Sequence, residues 1–288
     1  MLLSKFYGFF DDNYTLRNKG YNGEDRMSPK QFIVMGILLV LIILISVLLR
    51  KTKKEKLYTI YKVLAIFMPI FEIIKIAYST YFDLTNGAPF NWGGILPLYS
   101  CSMLLYFLPF VAWGKGKMHD YSVAFFSTIG MVAGLSNFIY LSSAGFYPIF
   151  TYGAMYSIIF HGVIVFVGMS LIICGEYKPT FRSIIDGMVP ILMFSCIVIP
   201  INFIIRYNTN DTWVDYMMLM NCNGFPVFGD FSNYLASHGL LLLFSFFMLG
   251  IMYPLATTLM VLIEMGIIKL VDYIKEKTTK NESEVEVE

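Results

Sequence analysis

Charged residues are scarce in this sequence, and their scarcity excludes most classes of soluble protein. Only 14% of the 288 residues are Asp, Glu, Lys or Arg, whereas 57% are hydrophobic and 17% are aromatic. An average soluble domain has about 25% charged residues. A soluble core could not hide so much apolar surface, so the composition predicts an integral membrane protein.

The sequence also lacks an excess of one charge sign and any paired cysteine motif. A formal net charge of +1 gives no basis for binding nucleic acid. The four cysteines, Cys101, Cys174, Cys196 and Cys222, form no CxxC pair and no spacing typical of zinc ligands or of a disulfide framework. We therefore expect no metal site, no cofactor and no nucleic-acid partner.

The N-terminus lacks the pattern of a cleaved signal peptide. Its apolar stretch is short, and Asp11 and Asp12 follow it instead of small residues suited to cleavage. The aromatic residues before them are typical of a segment that lies at the membrane interface. Residues 1–30 are therefore predicted to be an extracytoplasmic interfacial segment.

Seven segments are long and apolar enough to cross a membrane, which takes about 20 residues per helix. Their approximate boundaries are 31–49, 57–80, 92–113, 121–141, 150–174, 184–205 and 236–264. The fold class is therefore predicted to be all-α, a polytopic membrane protein with seven transmembrane helices within residues 31–270. The polar tail, residues 271–288, is predicted to be disordered.

Connections with lysine and arginine alternate along the chain with connections that lack both, and this alternation predicts the orientation. Connections 50–56, 114–120 and 175–182 are basic, whereas 81–91, 142–149 and 207–235 contain no lysine or arginine. The positive-inside rule then places the N-terminus outside and the C-terminus in the cytoplasm, and we expect the cell membrane as the location. The longest outer connection, 207–234, is either a lid folded back on the membrane or an ordinary loop.

Polar side chains within the predicted spans are costly, so each marks a candidate functional position. With a rise of about 1.5 Å per residue, Cys101 lies roughly 14 Å and His161 roughly 16 Å below the outer surface. Glu72 and Lys75 are three residues apart and so share one helix face. Further polar residues in the outer parts of the spans are Asn137, Asn202 and His238.

Each of these residues also has a structural interpretation. A buried cysteine usually packs as a small hydrophobic residue, and Glu72 and Lys75 would more often form a structural ion pair. His161 needs a partner at its depth, which leaves a structural and a functional role open. Residues closer to the cytoplasm are expected to reach water, namely His119, Asp186 and Glu264.

Three motifs resemble a known family and keep its order along the chain. LPLYSC, residues 96–101, resembles an LPLHLC-type motif of the YwaF-like bacterial membrane proteins. IIFHGVIVFVGMSLIICGEYKP, residues 158–179, resembles the family's next motif, and INFIIR followed by DYMML and GFP is similar to its last. The resemblance covers about residues 90–235 and implies a seven-span membrane protein.

The same family includes the animal transmembrane protein 164, understood as an acyltransferase that moves a fatty acyl chain from a phospholipid to a lysophospholipid through a cysteine thioester. The resemblance implies that Cys101 is the nucleophile, that His161 is its base, and that phospholipids and lysophospholipids are the substrates. This sequence departs from the family at Tyr99, where relatives have histidine, and at Phe160, which replaces the first of two histidines.

Supporting roles, as oxyanion donors or orienting groups, are assigned to Glu72, Lys75, Asn137, Asn202 and His238. Glu72 in particular is expected to orient His161. The alternative function is a transporter or small-molecule-binding membrane protein without catalytic activity, because the same polar groups suit an ion pathway. Polar residues become fewer toward the predicted cytoplasmic side, which favours a site open to one side only.

Overall fold

A computed structural model of the chain describes residues 9–10, 16, 20–23, 28–85, 95–140, 148–209, 214–220 and 226–285. All regular structure in these residues is helical, and no strand occurs among them. The all-α prediction is thus confirmed for the described part of the chain. Cys222 lies outside the described residues.

The α-helices, numbered in chain order, are α1 (Pro29–Leu49), α2 (Lys54–Thr85), α3 (Met103–Trp113), α4 (Lys117–Phe125), α5 (Met131–Tyr140), α6 (Tyr152–Ile173), α7 (Arg182–Thr209), α8 (Pro226–Ser237), α9 (Leu241–Phe247) and α10 (Tyr253–Val285). Two π-helical turns, Phe126–Gly130 and Met248–Met252, join α4 to α5 and α9 to α10. Each of these two pairs therefore forms one long helical rod.

Within the part of the chain that the structure describes, five helical stretches are long and apolar enough to cross a membrane. They are Pro29–Leu49, Lys117–Phe138, Tyr152–Ile173, Arg182–Thr209 and Leu241–Ile274. Each of them coincides with a predicted span. The chain is therefore a multi-pass membrane protein, while the count of seven spans and the orientation of the termini stay predictions.

The other two predicted spans differ from simple apolar helices. The second lies within α2, which has 32 residues but carries Glu72 and Lys75 in its apolar stretch. The third, 92–113, is interrupted, because residues 96–102 are not helical and α3 comprises only its last 11 residues. Eleven residues extend about 16 Å, well short of the roughly 30 Å of hydrocarbon in a bilayer.

The last helix continues beyond its predicted end. α10 runs to Val285, well into the tail predicted to be disordered from residue 271. This stretch is rich in Lys and Glu, which propagate a helix readily once an apolar segment has started it. Residues 286–288 lie outside the described part of the chain.

The core is the rod made of α4 and α5, which packs against α6 and α7. Glycines allow the closest approach. A side chain at Gly168 of α6 would overlap the backbone carbonyl of Phe126, and one at Gly134 of α5 would come within 2.7 Å of Val165. Small residues at helix interfaces let backbones pack closely within a membrane. By contrast, α1 lies at the edge of the bundle, against α6.

We call the end of the bundle with the basic connections the basic end. There, Tyr58 of α2 contacts residues of two other elements. Its hydroxyl donates to the Glu176 carboxylate at 3.1 Å and lies 3.2 Å from Nε2 of His119. Lys54 also pairs with Glu176, and Nδ1 of His119 lies 3.2 Å from Asp120. His119 was expected to be solvated, but it joins the start of α4 to α2 and to the turn after α6.

Candidate functional site

Cys101 lies in a turn directly before α3, not inside a continuous helix. The carbonyl of Tyr99 accepts from the amide of Ser102 at 2.9 Å, and the carbonyl of Cys101 accepts from Leu104 at 3.1 Å. Pro97 has no backbone N–H and disfavours helical geometry in the residue before it, which explains the break. The thiol is therefore at a helix N-terminus, where unpaired N–H groups and the helix dipole favour negative charge.

A buried ion pair from α2 lies beside this turn. Nζ of Lys75 donates to Oε1 of Glu72 at 2.6 Å, and the hydroxyl of Tyr156 in α6 donates to Oε2. The Lys75 ammonium also lies 5.3 Å from the centre of the Tyr156 ring. The charges of Glu72 and Lys75 act on the thiol of Cys101. We call Cys101, Glu72, Lys75 and Tyr156 the thiol cluster.

Tyr156 is the member of this cluster that sequence reasoning missed. The signal was available, because a tyrosine hydroxyl in an apolar span needs a hydrogen-bond partner. Tyr152 lies one turn before it on α6, with its ring 6.4 Å from that of Tyr156. The sequence shows this pair of tyrosines but not that Glu72, 84 residues away, is the acceptor.

His161 is held by its own helix. Its Nδ1 lies 2.7 Å from the backbone carbonyl of Ser157, and the side chain is buried. A carbonyl oxygen only accepts, so Nδ1 carries the hydrogen of a neutral ring and Nε2 keeps its lone pair. Nε2 makes no hydrogen bond with the described residues. The ring therefore has the tautomer that a general base acting through Nε2 requires.

No hydrogen bond joins Cys101 and His161 in the described structure. Tyr156, which reaches the thiol cluster through Glu72, precedes His161 by five residues, or about 7.5 Å along α6 and about 140° around it. Both carboxylate oxygens of Glu72 bond other partners. The carbonyl of Ser157, rather than Glu72, therefore orients His161.

Asn137 lies in the interface between α5 and α6, close to the turn that holds His161. A Cβ at Gly134, one turn earlier on α5, would lie 3.2 Å from the carbonyl oxygen of His161. The two helices are antiparallel, so Asn137 is level with the turn of α6 that contains Ser157. The side chain is 6% exposed. Of the predicted support residues, Asn137 is thus the one nearest to His161 along this interface.

Asn202 of α7 braces a buried, non-helical segment, residues 214–220. Its Nδ2 donates to the carbonyl of Tyr216 at 3.0 Å, and its Oδ1 accepts from the amide of Tyr216 at 3.0 Å. Both ends of the amide therefore bond backbone. In this structure Asn202 positions a segment of the wall, instead of pointing a donor at Cys101.

The sequence left the connection 207–234 open between a surface lid and an ordinary loop, and most of the residues in the segment 214–220 are buried. Met217 and Met218 have φ values of 61° and 53°, a left-handed geometry that is unusual for side chains of this size. Surrounding helices bond its backbone: the Tyr253 hydroxyl donates to the Met217 carbonyl at 2.6 Å and Ser245 to the Leu219 carbonyl at 2.7 Å. Irregular backbone is tolerated in a membrane where protein satisfies it in this way.

This segment also adjoins the turn that carries Cys101. The ring of Tyr216 lies 5.1 Å from that of Tyr99, in an edge-to-face arrangement. Tyr216 is fully buried, whereas Tyr99 is 38% exposed. The segment therefore supports the turn from inside the bundle, and its position depends on Asn202.

Replacing Asn202 by alanine is expected to destabilise the protein by about 2–4 kcal/mol, since it leaves a buried amide and a buried carbonyl of Tyr216 without partners. Asn202→Asp keeps the acceptor, but it also turns a buried carboxylate toward the Tyr216 carbonyl oxygen, so a loss at least as large is expected. Thermal unfolding of the two variants in the same detergent measures the difference. Equal stability of both variants with the wild type would contradict the bracing role.

His238 follows α8 and interacts with the end of that helix. Its Nδ1 lies 2.8 Å from the carbonyl of Tyr234 and 3.1 Å from the hydroxyl of Ser237. The side chain is exposed, and the structure records no contact between it and the thiol cluster. Among the described residues, no group of three or more His, Cys, Asp or Glu side chains could hold a metal ion.

Comparison with known proteins identifies the family. Residues 26–253 match the profile of the TMEM164 family. The chain belongs to the TMEM164 family. This match extends the resemblance of the three motifs to α1 and α2 on one side and to the start of α10 on the other. It includes every member of the thiol cluster, together with His161.

No curated protein matches this TMEM164 family member, and no solved structure matches it. The profile therefore establishes the family, and a proposal about the activity has to be argued from the chemistry of the site.

Proposed function

We propose that this TMEM164 family member is a membrane acyltransferase. It moves a fatty acyl chain between phospholipid and lysophospholipid, with Cys101 carrying the chain as a thioester. The observation that supports this function is the placement of Cys101 in a turn at a helix N-terminus, beside the buried pair of Glu72 and Lys75. A cysteine that only filled space would need neither the break nor the charges.

The break in the helix suits a nucleophile for a geometric reason. In a continuous helix, neighbouring turns shield a side chain and all interior N–H groups are bonded within the helix. In this turn the thiol is close to the N-terminus of α3, where the helix dipole favours the negative charge of an oxyanion. Cys101 is only partly buried as a residue, and in this proposal a substrate carbonyl reaches its sulfur from the exposed side.

The proposed reaction has two steps of the same kind. In the first, the Cys101 thiol gives its proton to Nε2 of His161, and the sulfur attacks the ester carbonyl carbon of a phospholipid. The carbon–oxygen ester bond breaks, and the departing lysophospholipid oxygen takes the proton from His161. In the second, the hydroxyl of another lysophospholipid gives His161 its proton and attacks the thioester, which restores the thiol.

Proton transfer requires Nε2 to come within about 3 Å of the sulfur or to act through one water. Catalytic hydrogen bonds are often long without substrate and shorten when substrate binds. In this proposal a bound lipid brings the His161 turn of α6 and the Cys101 turn together. The accessible lone pair on Nε2 is what makes His161 suitable for the role.

Lys75 and Tyr156 are the proposed electrostatic supports of the reaction. Lys75 carries N–H donors whose charge acts on Cys101, Tyr156 of α6 carries an O–H donor, and both are held by Glu72. The tetrahedral intermediate places a negative charge on the former carbonyl oxygen, which such donors stabilise most effectively where water is excluded. The role of Glu72 in the proposal is to orient these donors and not to orient His161.

The decisive experiment traps the acyl-enzyme. The purified full-length protein is incubated in liposomes with phospholipid carrying an isotope-labelled acyl chain, quenched in acid and digested, and its cysteine peptides are analysed by mass spectrometry. We expect the acyl group on Cys101, its release by neutral hydroxylamine as for a thioester, and much slower labelling in His161→Ala. Acyl transfer without any adduct on Cys101, or unchanged labelling in His161→Ala, would refute the mechanism.

A further inference from the structure

Glu264 of α10 is a buried carboxyl that the proposed reaction does not use. From the sequence it was expected to reach water near the end of its span, but it is only 4% exposed. Both carboxyl oxygens are inaccessible, and neither has a hydrogen-bond partner within the described part of the chain. The sequence expectation for Glu264 is therefore wrong.

An unpartnered carboxylate in apolar surroundings is costly, because its charge loses the solvation of water and gains nothing in exchange. Two other glutamates in the described part of the chain, one buried and one partly buried, avoid that cost. Glu72 bonds Lys75 and Tyr156, and Glu176 bonds Lys54 and Tyr58. Glu264 has no such cation among the described residues, so its stable form carries a proton or another bound cation.

Tyr177 is a second buried residue with an unpartnered polar group. The chain leaves α6 through Gly175, which has a φ of 77°, and the amide of Tyr177 donates to the carbonyl of Leu171 at 3.0 Å. This turn directs the tyrosine inward, where its hydroxyl is buried and has no hydrogen-bond partner in the described structure. Burial raises the pKa of Tyr177, the hydroxyl of Ser183 lowers it, and the charges of Glu264 and Asp186 raise it further. The carboxyl of Glu264 therefore acts on the phenol through its charge.

The charged groups that act on the Tyr177 phenol differ in exposure. Asp186 of α7 is one of them, its side chain is 23% exposed, and Oδ2 lies 3.4 Å from Nε of Arg182. Glu264, by contrast, is closed off from solution.

We propose that the buried, unpartnered carboxyl of Glu264 is a proton-binding site near the basic end of the bundle. The site is separate from the thiol cluster and independent of the proposed acyl transfer. Its ligand is a proton because the described residues around the carboxyl offer no set of oxygen ligands for a metal ion. Intramembrane carboxyls of this kind mark proton-linked functions in membrane proteins.

A hydrophobic carbodiimide tests the proposal, since it reacts with protonated carboxyl groups in apolar surroundings. The full-length protein in liposomes is treated with dicyclohexylcarbodiimide at neutral pH, and its peptides are examined by mass spectrometry. We expect an adduct on Glu264 and none on Glu72, a matched control that is equally buried but ion-paired. Glu264→Gln should lose the adduct and keep the thermal stability of the wild type, because glutamine mimics the protonated acid.

Two results would overturn the proposal. One is protection of Glu264 by sodium or potassium, which would make a metal ion the ligand. The other comes from infrared spectroscopy, which requires no access for a reagent: the carbonyl band of a protonated carboxyl should be present in the wild type and absent in Glu264→Gln. The absence of that band from the wild type would mean that Glu264 is ionised.

Discussion

Replacing Cys101 by alanine is expected to lower acyl transfer between phospholipid and lysophospholipid by at least about a thousandfold. The reason is that nucleophile and base act as a unit, so that loss of the nucleophile removes nearly all of the catalysis they provide together. Initial rates of transfer of a labelled acyl chain in proteoliposomes measure the effect. Folding is checked on the same preparations by thermal unfolding, which should be nearly unchanged because the side chain is small and only partly buried.

Cys196→Ala is the matched control for this substitution. Cys196 is also a cysteine within a predicted span, in α7, but it is exposed on the bundle surface. Its loss should leave transfer at the rate of the wild type. Cys101→Ser adds a second comparison, since a hydroxyl is a poorer nucleophile than a thiol and should give an intermediate rate. A fully active Cys101→Ala variant would refute the thioester mechanism.

Replacing Glu72 by leucine is expected to lower the free energy of unfolding by about 3 kcal/mol. Removal of one partner of a buried ion pair leaves the other charge without compensation, which typically costs about 3–5 kcal/mol. Lys75 retains some contact with water through a side chain that is 29% exposed, so the lower end of that range applies. The hydroxyl of Tyr156 also loses its acceptor. Denaturant unfolding in detergent micelles measures the change.

The double variant Glu72→Leu with Lys75→Met separates charge from packing. A pair of apolar residues of similar volume often restores or exceeds the stability of a buried ion pair. We therefore expect the double variant to regain most of the stability lost in Glu72→Leu, with a coupling energy above about 1 kcal/mol. Acyl transfer should stay low in both variants, because Lys75 is lost or misplaced. Additive effects of the two substitutions would show that the ion pair contributes little.

Some of this site could be predicted from the sequence because the signals are local. Glu72 and Lys75 are three residues apart on a helix, and that spacing alone predicts their contact, which the structure confirms at 2.6 Å. Pro97 likewise predicts an irregular backbone near Cys101, and the turn is present. Five apolar stretches suffice to identify a multi-pass membrane protein.

Other features depend on residues that are far apart in the chain, and no local pattern reports them. Tyr156 meets Glu72 across 84 residues, and Tyr58 meets Glu176 across 118. The absence of any local signal for distant contacts also explains the wrong expectation for Glu264. A glutamate near the end of a span normally reaches water, but the packing of α10 buries Glu264.

By itself, the sequence determined that this protein is helical and embedded in a membrane, since hydropathy and helix length are properties of contiguous residues. It also determined which polar side chains must find partners in an apolar environment. Only the tertiary structure decided which groups are those partners. In the structure, Tyr156 bonds Glu72, His161 bonds the Ser157 carbonyl, and Asn202 bonds the Tyr216 backbone. These pairings depend on packing across the whole bundle, because packing decides which helix faces meet.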